Sequence, residues 1–160
     1  MSESLEVRLC GLMTDLGWTL SVAETTTGGL ICSRIVSVPG SSAVFDRGLV
    51  PYSARAKIQA LGISGSLLER CGAVSVEVAS AMAEAVGRTS HSTLGLAETG
   101  IAGPIRGRSP KPLGTAYIAL WTPEGVRCER FVFRGDRNAI RERIAEQALA
   151  TAVAYLEDAA

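Results

Sequence analysis

Residues 21–30 read SVAETTTGGL, Ser21 to Leu30, and how this run is read decides the fold. A short apolar segment ends at Glu24, three threonines and two glycines follow, and a helical pattern resumes at Leu30. The order is therefore strand, turn, helix. Gly28 and Gly29 let the backbone turn sharply and approach a ligand closely. Three uses of such a turn stay open from composition: a plain connection, an anion cradle at a helix start, or a site where one hydroxyl is a nucleophile. The run matches neither a Walker loop nor the G-x-G-x-x-G dinucleotide pattern.

Working outward, Leu5, Leu9, Leu12, Met13 and Leu16 recur at helical spacing until Gly17. WTLSVAE then reads as a strand, and LICSRIVSV as a helix broken by PGSS. GLVPYS reads as extended, with Pro51 pointing to an edge or a strand end. Ser53 is placed to cap a short helix closed by Gly62, and SLLERCG forms another. Ser75 caps VEVASAMAEAVG, whose alanines allow close packing on a sheet. The strand TLGLAETG follows, then the hairpin TAYIALWT and VRCERFVF around Pro123 to Gly125. Asp136 caps a last helix that buries Ile140, Ile144, Leu149, Val153 and Leu156. Helices alternating with strands, without repeats or linkers, predict a single domain over residues 1–160. Its expected architecture is a three-layer α/β/α sandwich with a mixed, largely parallel sheet.

The chain has 160 residues, 47% of them hydrophobic, enough to bury a core without disulfide staples. Its 16 basic and 16 acidic residues cancel and form no basic run, so no nucleic-acid or membrane surface is expected. The N-terminal segment lacks the pattern of a signal peptide, and a cytoplasmic location is expected. Cys10, Cys32, Cys71 and Cys128 form no C-x-x-C pair and read as reduced thiols, Cys10 and Cys32 packing in the core. With one histidine there is no metal site to expect, and no cofactor.

A second unusual stretch, TGIAGPIRGRSPKP, leaves the strand that ends in Glu98, Thr99 and Gly100. If the two strands run parallel, both turns share one rim of the sheet, where ligands sit in open α/β folds. Arg106, Arg108 and Lys111 of this loop either face a phosphate or are solvated. His91 precedes its strand while Thr25 follows its own, a separation of roughly 20 Å for parallel strands of about six residues, so a histidine base is not expected. Lys57 is the remaining candidate, a lysine that partial desolvation would turn into a base.

Taken together, SVAETTTGGL, VPGSSAVFDRGLVPYSARAK, CGAVSVEVASAMAEA, TGIAGP, KPLGTAYIAL and FRGDRNAIRERIAEQAL resemble, in order and spacing, the C-terminal domain of the CinA family. The resemblance runs from about Leu5 to Leu156. It implies a metal-free amidohydrolase that converts nicotinamide mononucleotide to nicotinic acid mononucleotide and ammonia. Carried over residue by residue, it implies Tyr52 and Lys57 from the Y-S-x-x-A-K motif, and Thr27, Gly28 and Gly29 from the end of E-S-x-T-G-G. The family serine is Thr25 here. On this reading Thr25 attacks, Lys57 takes its proton, and Tyr52 orients Lys57 or relays the proton. Backbone N–H groups at Thr27 to Gly29 or Gly100 would hold the oxyanion, with Gly103 in the same glycine-rich turn. Arg47 and Arg137 would hold the phosphate of the small-molecule nucleotide.

Two further departures from the family pattern are the IRGRSP segment and Glu98, where the family writes a small or hydroxyl residue. Glu98 would raise the pKa of Lys57 or pair with a loop arginine. The alternative to the enzyme is a catalytically silent relative that keeps the rim as a pyridine-nucleotide or small-anion binding module; an enzyme with a changed head group is the third reading. A homodimer through apolar elements such as AVFDRGLV is also expected.

Overall fold

The computed structural model describes residues 3–160; Met1 and Ser2, which open the N-terminal segment, lie outside them. The elements are α1 (Leu5–Leu16), β1 (Leu20–Ala23), α2 (Leu30–Val36), β2 (Phe45–Leu49), α3 (Ala54–Leu61), α4 (Gly65–Cys71), α5 (Val76–Ser90), β3 (Leu94–Gly100), β4 (Thr115–Thr122), β5 (Gly125–Val132) and α6 (Arg137–Ala159). The sheet order is β2-β1-β3-β4-β5. β1 pairs in parallel with both β2 and β3, while β3 with β4 and β4 with β5 are antiparallel. All strands but β4 therefore point the same way, the mixed and largely parallel sheet that the alternation of elements predicts.

The helix boundaries follow from local chemistry. Gly17 and Gly62 close α1 and α3 in the left-handed conformation. Ser53, Ser75 and Asp136 each accept an N–H of the following first turn. The exception is α5, which does not stop at Gly87 but runs to Ser90 and ends on left-handed His91. Gly87 sits inside the helix because a Cβ there would lie 2.3 Å from the Trp121 ring. Its smallness serves packing, not termination.

The two faces of the sheet are built differently. Leu20, Val22, Leu94, Leu96, Ile118 and Leu120 pack with α1, α2 and α6. On the other face Ala23, Ala97 and Ala119 meet α5. A Cβ on Gly95 would come within 2.1 Å of the Ala83 carbonyl oxygen, so α5 lies against the sheet at a distance only glycine permits. Pro51 falls just beyond edge strand β2, where no ladder hydrogen bond is lost.

Candidate active site

β1 and β3 run parallel and adjacent, so their carboxyl ends bring Glu24–Gly29 beside Glu98–Gly100. Both glutamates are fully buried. Glu24 accepts the N–H groups of Gly29 (2.9 Å), Ile31 (3.1 Å) and Cys32 (2.8 Å), and its Oε2 also takes a short hydrogen bond from the Thr27 hydroxyl. Helix α2 has Gly29 at its N-cap and no capping side chain of its own. Glu24 supplies that function from the strand end.

Glu98 acts on the same turn from the neighbouring strand. Its Oε1 accepts the N–H of Thr25 at 2.7 Å and the N–H of Thr27 at 2.9 Å, and shares with Glu24 the single proton of the Thr27 hydroxyl, 2.9 Å away. Its Oε2 has no partner among the described residues. Burial pushes the Glu98 carboxyl above the ordinary carboxylate range, and the bonds from Thr27 and Thr25 oppose that only in part. No loop arginine pairs with it in any of the salt bridges among the described residues.

The consequence is that Thr27 and Gly29 spend their N–H groups on the protein's own carboxylates. Thr27 is wholly buried, and Thr27, Gly28 and Gly29, expected around an oxyanion, are not among the residues lining the cavity that Thr25 enters. A strand-end carboxylate beside unsatisfied helix-start donors captures them first.

That cavity has a volume of about 390 Å³. It brings together Thr25, Tyr52, Lys57, Gly100, Gly103 and Arg137 from the expected set, with Thr26 and Thr99 added. Thr25 is 8% exposed, and its Oγ1 makes no hydrogen bond among the described residues. Lys57 is buried at 1% exposure and donates from Nζ to the carbonyls of Pro51 (3.1 Å) and Tyr52 (3.4 Å). Burial lowers its pKa below the usual lysine range, while the charge of Glu98 pulls the other way and loses. Thr25 and Lys57 thus line one cavity, with the Thr25 hydroxyl itself buried and not bonded to the amine.

Tyr52 projects outward, and its hydroxyl accepts from Arg137 Nη2 at 3.2 Å; only its main-chain oxygen meets Lys57. Arg137 also donates from Nη1 to the Gly103 carbonyl at 2.8 Å. Asp136 leaves it free for this by capping α6 through the Ala139 N–H. Arg47 is elsewhere: it pairs with Asp46 on edge strand β2 at 2.7 Å, is exposed, and is absent from the cavity wall. Gly100 is tight, since a Cβ there would lie 3.1 Å from Thr26 Oγ1.

Sequence reasoning missed Arg141. One turn beyond Arg137, it donates from Nε to the Thr26 carbonyl (3.0 Å) and from Nη2 to the Thr27 carbonyl (3.1 Å), clamping the threonine turn. The i, i+4 spacing of Arg137 and Arg141 was the available signal.

The CinA C-terminal domain family model matches residues 2–156. The chain belongs to the CinA C-terminal domain family. A CinA-like protein of Geotalea daltonii is 51% identical over 139 residues, covering 87% of this chain and 34% of that protein. A CinA-like protein of Syntrophus aciditrophicus is 45% identical over 155 residues, 96% of this chain and 37% of that one. The chain thus spans about a third of the length of these curated relatives. Among solved structures, the competence/damage inducible protein CihA of Agrobacterium tumefaciens superposes with TM-score 0.90 at 36% identity, covering 98% of this chain and 99% of that one. A CinA superfamily protein of Klebsiella pneumoniae gives 0.93 at 27%, covering 96% of each. The CinA fold accounts for the sheet order and for the meeting of the two glycine-rich turns. Among the described residues no group of His, Cys, Asp and Glu is arranged to hold a metal ion, and no helix is long and apolar enough to cross a membrane.

Proposed function

We propose that this CinA domain is an amidohydrolase acting on nicotinamide mononucleotide, with Thr25 as nucleophile and Lys57 as base. The observation that carries the reading is a buried lysine, its pKa lowered by desolvation, walling the same cavity as Thr25, whose buried hydroxyl is bonded to nothing among the described residues. A depressed pKa leaves more of the amine neutral near pH 7, and only the neutral amine accepts a proton. Thr25 Oγ1 attacks the carboxamide carbon, Lys57 takes the hydroxyl proton and returns it to the departing nitrogen, and ammonia leaves. Water then cleaves the acyl-threonine ester to give the acid. Arg137, held at the cavity wall by Gly103 and Tyr52, is placed for the phosphate. Tyr52 acts through Arg137 in this scheme and orients it.

A second reading, a nucleotide-binding module without turnover, is favoured by one observation. The extra methyl of threonine restricts its rotamer, and the Thr25 hydroxyl has no hydrogen bond to Lys57. Ammonia release from nicotinamide mononucleotide separates the two: turnover that disappears in Lys57→Ala supports the enzyme, and ligand binding without ammonia from the unaltered protein supports the module. A homodimer along the open β2 edge belongs to the same family reading, and sedimentation of the purified chain tests it.

A further inference from the structure

A second cavity of about 500 Å³ opens between the α4–α5 turn and the long loop after β3. Four of its ten lining residues, Arg70, Arg106, Arg108 and Lys111, are cationic, and none is acidic. In a chain with 16 basic and 16 acidic residues this is a strong local separation of charge. None of the four takes part in a salt bridge among the described residues. Like charges facing one space repel one another, and an anion between them relieves that repulsion.

The cavity has a fixed wall. Lys111 Nζ donates to the Val74 carbonyl and lies 5.6 Å from the centre of the Tyr117 ring, and Thr99 Oγ1 donates to the Ala73 carbonyl at 2.9 Å. Ala73, Val74, Arg106 and Ser109 line both this cavity and the one holding Thr25 and Lys57, so the two are contiguous. The cations come from two separate segments, Arg70 from α4 and the others from the loop. The space exceeds what one phosphate fills.

We propose that this basic cavity is a second anion subsite for the pyrophosphate of a pyridine dinucleotide: the adenosine-side phosphate lies among the four cations, the nicotinamide-side phosphate lies toward Arg137, and the nicotinamide end reaches the Thr25 cavity. The placement of the nicotinamide rests on the amidohydrolase reading; the anion subsite does not. Several guanidinium groups contributed by two separate segments suit two linked phosphates better than one, because each binds oxygens in a planar fork.

Calorimetry with inorganic pyrophosphate and with inorganic phosphate, on the whole chain and on the double variant Arg70→Ser/Arg108→Ser, tests the subsite directly. Both residues are exposed and neither lines the Thr25 cavity, and a thermal melt confirms that the variant folds. Pyrophosphate is expected to bind at least tenfold more tightly than phosphate, and to lose at least tenfold in the variant. Equal binding of the two anions, no pyrophosphate binding, or an undiminished variant overturns the subsite.

Titration with nicotinamide adenine dinucleotide and nicotinamide mononucleotide forms the second arm. The variant is expected to weaken dinucleotide binding at least tenfold and to leave mononucleotide binding and any ammonia release within twofold. Equal effects on both nucleotides, or on neither, overturn the dinucleotide assignment. Absence of ammonia from either nucleotide removes the amidohydrolase reading while the pyrophosphate result still stands, so the two failures are distinguishable.

Discussion

Glu24 and Glu98 are two buried carboxylates at the ends of adjacent parallel strands, and both grip the same threonine turn. They differ in how their oxygens are used. Glu24 spreads its acceptors over Thr27 and the first turn of α2, engaging both oxygens. Glu98 gathers three donors on Oε1 and leaves Oε2 bare, within the electrostatic reach of Lys57. The same residue type therefore serves as a helix cap in one strand and as an ionisable neighbour of a candidate base in the next. What separates them is the supply of N–H donors: a helix begins above Glu24, whereas β3 leads into a loop.

The largest expected effect is at the cap. Glu24→Ala removes the acceptor of three N–H groups, one of them buried, and of the Thr27 hydroxyl, which keeps Glu98; it is expected to cost about 3 kcal/mol of stability, read from urea unfolding. A loss under about 1 kcal/mol would mean that water replaces Glu24 and that the comparison is misdrawn.

Next, on the chemical side, Lys57→Ala is expected to lower ammonia release from nicotinamide mononucleotide by about 10²-fold or more, the scale of a lost general base. Circular dichroism of the variant checks that the emptied site still folds. Full activity would remove Lys57 from the reaction.

Glu98→Gln gives a smaller and pH-dependent effect. The folded carboxyl holds its proton more tightly than the unfolded one, since burial raises its pKa above the ordinary 4.5. Between that value and the raised one the folded state binds more protons, so stability associated with Glu98 is present at low pH and falls as pH rises. Glutamine keeps an acceptor for Thr25 and Thr27 and does not ionise. The melting temperature of Glu98→Gln relative to the unaltered chain should therefore climb with pH above about 4.5. A difference that shrinks as pH rises would show that Glu98 is stabilised as a carboxylate, like a second Glu24.

The smallest change is Thr25→Ser, which removes one methyl from an 8% exposed side chain and leaves the Glu98 bond to its N–H intact. Ammonia release is expected to rise, by up to about tenfold, as the hydroxyl gains rotamers. A fall would assign the methyl a positioning role.

Much of this was legible along the chain. Ser53, Ser75, Asp136, Gly17 and Gly62 act through groups within four residues of themselves, and each fixes the helix end its type predicts. Gly87 misleads because its reason is Trp121, 34 residues away on the sheet. Arg47 and Arg137 looked alike as arginines beside an aspartate, yet one lies exposed on edge strand β2, paired with Asp46, and the α6 start points the other at Gly103 and Tyr52. The meeting of Thr25, Tyr52, Lys57 and Arg137 at one cavity follows from parallel strand ends, a topological inference that alternating elements already supported.

By itself, then, the order of apolar periods, caps and turn residues determined the α/β layering and which turns share one rim of the sheet, because these are local preferences repeated along the chain. Only the tertiary structure decided where the polar groups of that rim are spent. Glu98 lies 73 residues from the Thr25 N–H it accepts, and Arg141 lies 115 residues from the Thr26 carbonyl it binds. Hydrogen bonds of that separation depend on the register of packed strands and the seating of α6, which no short stretch of residues encodes.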